Sequence, residues 1–371
     1  MPDLTIPSDL HPRDGRFGSG PSKVRPEALA ELARIGDGVL GTSHRKDPVR
    51  NQVARLQDGL RALFRSPAGY DVLLTVGGAT AFWESLAFGF VERRSRHYRF
   101  GEFSGKFTAV TAKAPWLDDP DVVDAEPGTR PELSAAPGCD VQALTHNETS
   151  TGVAQDIARV DAALVAVDAT SGAGGLPVDL ADTDVYYFSL QKGFASDGGL
   201  TVAFVSPDAA ERFGRIAASD RYIPTFLDLT TALDNSRKNQ TYNTPSVATL
   251  ILAAEQVDWM LGRFGDLDGV VAHQREKAEV IYGWAADRSW AAPFVRDPSA
   301  RSRMVATIDL DEQVNADEVN ATLRANGIVD TDGYRKLGRN QLRIAMFPAI
   351  DTEDLRAYTA CVDWVAERLA R

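Results

Sequence analysis

The sequence predicts an α/β protein: a large domain built on a mostly parallel sheet, followed by a smaller C-terminal α+β domain. Three observations carry this expectation. Short continuous apolar runs, such as Ala163-Leu164-Val165-Ala166-Val167 and Val185-Tyr186-Tyr187-Phe188, read as strands buried on both faces. Stretches of helical spacing separate them, as crossovers between parallel strands require. Toward the C-terminus two further strands alternate with two helices, enough for a compact second unit.

Taken in order, residues 1–20 are rich in Pro, Gly and charge and read as an irregular arm. A short helix is expected over 26–35, with Pro26 at its first position. Val49, Val53, Leu56, Leu60, Leu63 and Phe64 recur at helical spacing and predict an amphipathic helix over 48–64. The pattern then switches to a strand over 70–76, a tight turn at Gly77-Gly78-Ala79-Thr80 and a helix over 81–91. Strands follow at 97–100, 140–145, 163–167, 185–189 and 200–205, the last two forming an antiparallel hairpin. A long helix over 249–261 links the large domain, 21–262, to the small one, 263–371. In the latter, strands at 304–310 and 341–347 alternate with helices at 316–325 and 351–369.

Composition narrows the function. The 371 residues are 44% hydrophobic and 25% charged, ordinary for a soluble globular chain. A net charge of −12 argues against nucleic acid or an anionic membrane as partner. Neither a secretory signal nor an apolar run of about 18 residues is visible. The two cysteines, Cys139 and Cys361, lack metal-ligand spacing, which fits a reducing compartment. The expectation is a cytoplasmic protein with no metal.

The chemistry starts at Lys192. It follows the strand at 185–189, and Asp168 ends the apolar run before it. A lysine and an aspartate at the carboxyl ends of neighbouring buried strands are the two protein groups that pyridoxal 5′-phosphate requires. The lysine amine condenses with its aldehyde, and the carboxylate keeps the pyridine nitrogen protonated. The small residues at Gly77-Gly78-Ala79-Thr80 let backbone N–H groups and a helix N-terminus approach a phosphate. Singly these features are common: most such turns, lysines and aspartates are structural. Their order along the chain makes the combination specific.

Several motifs extend the pattern: Phe17-Gly18-Ser19-Gly20-Pro21-Ser22, Thr42-Ser43-His44-Arg45, Gly77-Gly78-Ala79-Thr80, Gly101-Glu102-Phe103-Ser104, His146-Asn147-Glu148-Thr149, Val167-Asp168-Ala169-Thr170-Ser171, Leu190-Gln191-Lys192-Gly193 and Asn243-Thr244-Pro245. With them the chain resembles the phosphoserine aminotransferases over nearly its whole length, and the actinobacterial branch in particular. The resemblance implies pyridoxal-phosphate fold type I, class V, with a seven-stranded type of sheet. It implies transamination of 3-phosphohydroxypyruvate with glutamate to O-phosphoserine and 2-oxoglutarate. It also places Gly78, Ala79, Thr80 and Gln191 at the cofactor phosphate, Thr149 on the phenolic-oxygen side of the ring, Phe103 against the ring where much of the family has tryptophan, and Asn243 and Thr244 at the phosphate of a neighbouring subunit. Arg343 is implied to hold the substrate α-carboxylate, and His44, Arg45 and Arg335 its distal anionic group. A homodimer with shared active sites follows from the same resemblance.

Two positions depart from enterobacterial members, Thr80 for arginine and Tyr334 for histidine. They make the substrate pocket less basic and leave Lys336 and Arg339 as compensating cations. The nearest rival is another class V aminotransferase acting on alanine or serine with glyoxylate or pyruvate, which does not need the His44, Arg45 and Arg335 cluster. A desulfurase needs a mobile cysteine that neither Cys139 nor Cys361 supplies. A dinucleotide enzyme needs a Gly-x-Gly-x-x-Gly turn that is absent after the first strand.

Overall fold

The computed structural model describes residues 4–369. Helix α1 (Pro26–Val39) starts on its proline, and α2 (Asp47–Leu63) buries Val49, Val53, Leu56, Leu60 and Leu63, the stripe that its spacing predicts. The chain then lays down β1 (Asp71–Val76), α3 (Ala79–Gly89), β2 (Ser95–Arg99), α4 (Glu102–Lys113), β3 (Asp121–Asp124) and β4 (Val141–Thr145). A two-residue hairpin, β5 (Asn147–Glu148) with β6 (Val153–Ala154), leads to β7 (Leu164–Asp168), β8 (Val185–Ser189) and β9 (Leu200–Val205). Helices α5 (Pro207–Ala217), α6 (Leu229–Ser236), α7 (Val247–Phe264) and α8 (Leu267–Ala286) follow. The final portion holds β10 (Ala291–Pro293), β11 (Val305–Leu310), α9 (Ala316–Ala325), β12 (Gln341–Ala345) and α10 (Thr352–Leu369).

Seven strands form one sheet in the order β1-β9-β8-β7-β4-β2-β3. The pairs among β2, β3, β4, β7 and β8 are parallel, whereas β9 pairs antiparallel with both β8 and β1. Six strands therefore run one way and β9 alone runs back. Successive side chains of a strand point to opposite faces, and this splits the interior into two layers. Val72, Leu74, Val165, Val167, Tyr186 and Phe188 pack with α2 and α7 residues such as Leu56, Leu60, Ile251 and Val257. Leu73, Ala166, Val185 and Tyr187 pack with Phe82, Trp83, Leu86, Phe107 and Phe213 from α3, α4 and α5.

A third core gathers β11, β12, α8, α9 and α10 around Ile308, Ile344, Leu355 and Val362. Ile6 and Phe17, from the stretch expected to be an irregular arm, are buried in it. Phe17 also exchanges backbone hydrogen bonds with Val329 and Ala345. One member of this packing is polar. Lys277 of α8 is fully buried, and its Nζ donates to the carbonyl oxygens of Met346 (3.1 Å), Phe347 (2.8 Å), Pro348 (3.4 Å) and Ile350 (3.0 Å). It holds the turn that follows β12. Burial lowers its pKa well below the ordinary lysine value.

The register aligns the ends of the central strands. Thr145 lies opposite Asp168, and Asp168 opposite Tyr187. The carboxyl ends of β4, β7 and β8 thus open on one edge, the usual place for a ligand in such a sheet.

Candidate active site

Lys192 lies in the loop between β8 and β9 and is only 8% exposed. Its Nζ donates to Thr149 Oγ1 at 3.2 Å and sits 5.5 Å from the centre of the Phe103 ring. Burial lowers its pKa to about 8; Asp168 and Glu148 oppose that shift, and the Arg343 charge adds to it. Space around the amine is tight on the side of the N-terminal stretch. A Cβ on Gly20 would lie 2.7 Å from Lys192 Cε, and the residue has φ +146°, so a side chain there would be strained and would push the end of the lysine aside. Ser22 N donates to the Gln191 carbonyl at 2.7 Å, fastening the stretch to the lysine loop.

Asp168 ends β7 and is 4% exposed. Its Oδ2 accepts from Trp83 Nε1 at 2.8 Å and its Oδ1 from the Thr170 N–H at 2.9 Å. Burial raises its pKa; the bonds from Thr170 and Trp83 and the charge of Lys192 pull the other way. Behind Thr149, Ser171 Oγ accepts from Thr149 Oγ1 (2.7 Å) and Asn147 Nδ2 (2.9 Å), which fixes the hydroxyl that meets Lys192.

The turn after β1 carries Gly77 at φ +114° and Gly78, and Gly78, the N-cap of α3, has no side chain to cap it. Ala79 N donates to Ser189 Oγ at 2.9 Å, joining the helix start to the end of β8. A second helix start, that of α4, is held by a fully buried carboxylate. Glu148 accepts from the N–H groups of Phe103 (3.1 Å) and Ser104 (2.9 Å) and from the hydroxyls of Ser104 (2.9 Å) and Ser150 (2.6 Å). This sets Phe103 at the first turn, in line with the preference of anions for helix N-termini.

Arg343, on β12, reaches the same region. Its Nη1 lies 3.5 Å from the Thr149 carbonyl and its guanidinium 5.4 Å from the Tyr334 ring, which in turn is 6.3 Å from Phe103. Burial lowers its pKa. Arg335 is exposed on a short 3₁₀ turn and shares a cleft with Tyr334, Asp332 and Arg343. Neither cation expected to compensate for Tyr334 is idle. Arg339 pairs with Asp309 at 2.6 Å and stacks on Phe294, and Lys336 pairs with Glu102 at 2.5 Å.

The structure does not bring every expected residue together within one chain. Half-buried His44 and exposed Arg45, Asn243 and Thr244 make no hydrogen bond to Lys192, Asp168 or Thr149, and Asn243 lies beside Thr75 and Val76 at the end of β1. His44 Nδ1 meets Thr244 Oγ1 at 3.1 Å, and Arg45 donates to Gln240 Oε1 (3.0 Å) and the Tyr242 carbonyl (3.3 Å). Lys192, Asp168, Thr149, Gln191, Phe103, the start of α3 and Arg343 make the other group. Sequence reasoning missed Trp83, Ser171 and Ser189 as partners of that group. It quoted Glu148 in a motif without a role.

A buried amine whose pKa is lowered to about 8, so that it deprotonates more readily than an ordinary lysine, beside a buried carboxylate suits a carbonyl cofactor with a cationic ring. Polar atoms around it still lack partners among the described residues: Gln191 Oε1 and Arg343 Nε are buried and unbonded. With an uncapped helix start to take a phosphate, these residues fit pyridoxal 5′-phosphate. The fold and this site define a pyridoxal-phosphate-dependent enzyme of fold type I. Comparison with known proteins narrows the class. The "Aminotransferase class-V" family model matches residues 129–345, more than half of the chain. A putative phosphoserine aminotransferase of Mycobacterium sp. strain KMS is 57% identical over 372 residues, 100% of both chains. A phosphoserine aminotransferase of Nocardioides sp. strain JS614 is 55% identical over 371 residues, 99% of each. The crystal structure of a phosphoserine aminotransferase from Cytophaga hutchinsonii superposes with a TM-score of 0.87 at 25% identity, covering 95% of this chain and 99% of the other. The chain belongs to the class V aminotransferases and, among them, to the phosphoserine aminotransferase family.

Proposed function

We propose that this protein catalyses the reversible transamination of 3-phosphohydroxypyruvate with glutamate, yielding O-phospho-L-serine and 2-oxoglutarate for serine biosynthesis. The single observation that carries the reading is full-length identity of 57% and 55% to relatives named for that activity. The arginines of the cleft support it, because a substrate with a carboxylate and a phosphate needs two separate cationic groups.

When bound, pyridoxal phosphate supplies a carbonyl for the amine and a cationic ring that withdraws electrons from the substrate Cα. The residues do the rest. Lys192 would hold the cofactor through its amine and would serve as the base that moves the Cα proton, a task suited to an amine whose pKa is about 8. Asp168 supplies the negative charge for the ring nitrogen. Thr149, fixed by Ser171, orients the lysine amine and would serve the phenolic-oxygen side of the ring. Gly78, Ala79, Thr80 and Gln191 would hold the phosphate, and Phe103 would pack against the ring. Arg343 holds the α-carboxylate with its bidentate fork, and Arg335 receives the distal anion.

His44, Arg45, Asn243 and Thr244 serve a neighbouring subunit in this reading, which makes the functional unit a homodimer. The exposure of Arg45, Asn243 and Thr244 in the single chain supports it, as does exposed apolar surface nearby in sequence, with Tyr222 79%, Phe226 50% and Tyr242 43% exposed. A cytoplasmic location is part of the same reading, supported by two cysteines that form no disulfide.

The test is a coupled assay of the purified protein with O-phosphoserine and 2-oxoglutarate, run beside serine and alanine. A strong preference for O-phosphoserine is expected. Equal or better turnover of alanine or serine would overturn the substrate and favour a small-amino-acid aminotransferase.

A further inference from the structure

Trp83 belongs to α3, in the layer that packs on the sheet face opposite α2 and α7, and it is 3% exposed. Its ring stacks on Phe107 with centroids 6.1 Å apart and planes at 15°, so the indole has a fixed direction. A buried indole N–H needs an acceptor. The acceptor here is not a main-chain carbonyl but Asp168 Oδ2, at 2.8 Å.

We infer that Trp83 is a positioning residue for the reaction: its indole N–H holds the Asp168 carboxylate in place and keeps the shared proton on the cofactor's ring nitrogen rather than on Asp168. The inference rests on the pyridoxal-phosphate reading given above. A carboxylate buried in an apolar layer becomes more basic, and a donor to its charged form reverses that. Thr170 N supplies one such donor to Oδ1, and Trp83 supplies the one to Oδ2. The titratable neighbours offer little else. Tyr186 and Tyr187 stay neutral, because burial and the Asp168 charge raise their pKa values. His146 is held neutral, with burial lowering its pKa to about 4. Lys192 is the remaining charge near Asp168, and the amine is taken up in covalent attachment. Without the indole donor, the proton between Asp168 and the ring would move toward the carboxylate, and the ring would lose the charge that makes it withdraw electrons.

The experiment compares wild type with Trp83→Phe, which keeps an aromatic ring and removes the donor, and Trp83→His, which returns an N–H. The first readout is the ¹⁵N resonance of ring-labelled pyridoxal phosphate bound to each protein. The second is the pH dependence of pyridoxal phosphate affinity for the cofactor-free protein, followed by fluorescence. In Trp83→Phe the ring nitrogen should move toward the neutral pyridine position and the affinity midpoint should shift by about one pH unit, the worth of one hydrogen bond to a charged group. Trp83→His should recover part of both. If Trp83→Phe fails to fold, Trp83→His decides, since a ring nitrogen there like that of wild type supports the donor role. A Trp83→Phe protein that loses activity with an unchanged ¹⁵N resonance and pH profile would overturn the inference and leave Trp83 a packing residue. Wild-type protein that takes up no pyridoxal phosphate would overturn the cofactor reading instead.

Discussion

Lys192 Nζ donates to Thr149 Oγ1 at 3.2 Å, tying the β8–β9 loop to the segment that follows β4. The contact aims an amine that burial has already pushed down to about 8. In the cofactor-free protein Lys192 is expected to react with an amine reagent with a midpoint near pH 8, well before exposed lysines. Competitive labelling read by mass spectrometry measures this, and a midpoint near 10.5 would remove it. The sign for stability follows from the lowered value. Between about pH 8 and the ordinary 10.5 the folded state binds fewer protons than the unfolded one, so this group's contribution to stability rises with pH across that window.

Lys192→Ala is expected to fold, as judged by circular dichroism, and to lose transamination entirely. Borohydride reduction of the wild-type holoenzyme and peptide mapping should find the pyridoxyl label on Lys192. Label on Lys277 or Lys23, the other buried lysines, would redirect the assignment.

Asp168→Asn keeps the size of the side chain and its acceptor for Trp83 or Thr170, but removes the charge. Its kcat should fall by at least about 100-fold, or roughly 2.7 kcal/mol, while pyridoxal phosphate still binds. Stopped-flow half-reactions with O-phosphoserine check this, and near-normal rates would reduce Asp168 to a strand-end turn residue.

Removing one member of a desolvated charge pair costs about 2–5 kcal/mol. Arg343→Ala should therefore raise KM for both amino donors, O-phosphoserine and glutamate, by at least about 30-fold. Arg335→Ala should act through the distal anion and leave the visible band of the bound cofactor unchanged. Identical KM values in wild type and both variants would place substrate recognition elsewhere.

Mixing variants tests the His44–Arg45 cluster. Arg45→Ala and Lys192→Ala chains are each expected to be inactive. In a mixed dimer one of two sites receives both intact halves, which gives up to about half the wild-type activity. Heterodimers that form without recovery would put Arg45 in its own chain's site.

Lys277→Met should lower stability by about 2–4 kcal/mol. It strands carbonyls that Nζ now satisfies, and relief from burying an ammonium offsets only part of that loss. Urea unfolding of wild type and variant measures the difference. An unchanged midpoint would mean that the turn after β12 finds other donors.

The fold was largely legible because buried parallel strands announce themselves as apolar runs. The bounds expected for β8 and β9 are those found, at Val185–Ser189 and Leu200–Val205. What escaped had its cause elsewhere in the chain. Helix α4 opens on Gly101-Glu102-Phe103-Ser104, a weak start on its own, and owes its place to the distant Glu148 carboxylate. Helix α8 was missed because its buried face includes Gln274 and Lys277, which a hydrophobic pattern assigns to solvent. Strand β3 is short, sits at the sheet edge and has an aspartate at each end. In the site, Lys192 and Asp168 stood out because ionisable residues end apolar strands. Trp83 did not, since an indole inside an apolar helix reads as packing alone. The separation of Arg45 from Lys192 depends on tertiary contacts that no local pattern encodes.

The reversal of β9 has a consequence for the lysine between it and β8. The loop leaves the sheet after Ser189 and re-enters at Leu200, and Ser189 is paired with Thr201. Lys192 is therefore on a leash anchored at both ends in the same rigid sheet. With the cofactor bound, an amine freed by substrate could not drift into bulk solvent. It would stay at high local concentration beside the substrate as the base, and the same tether would keep it within reach of the cofactor.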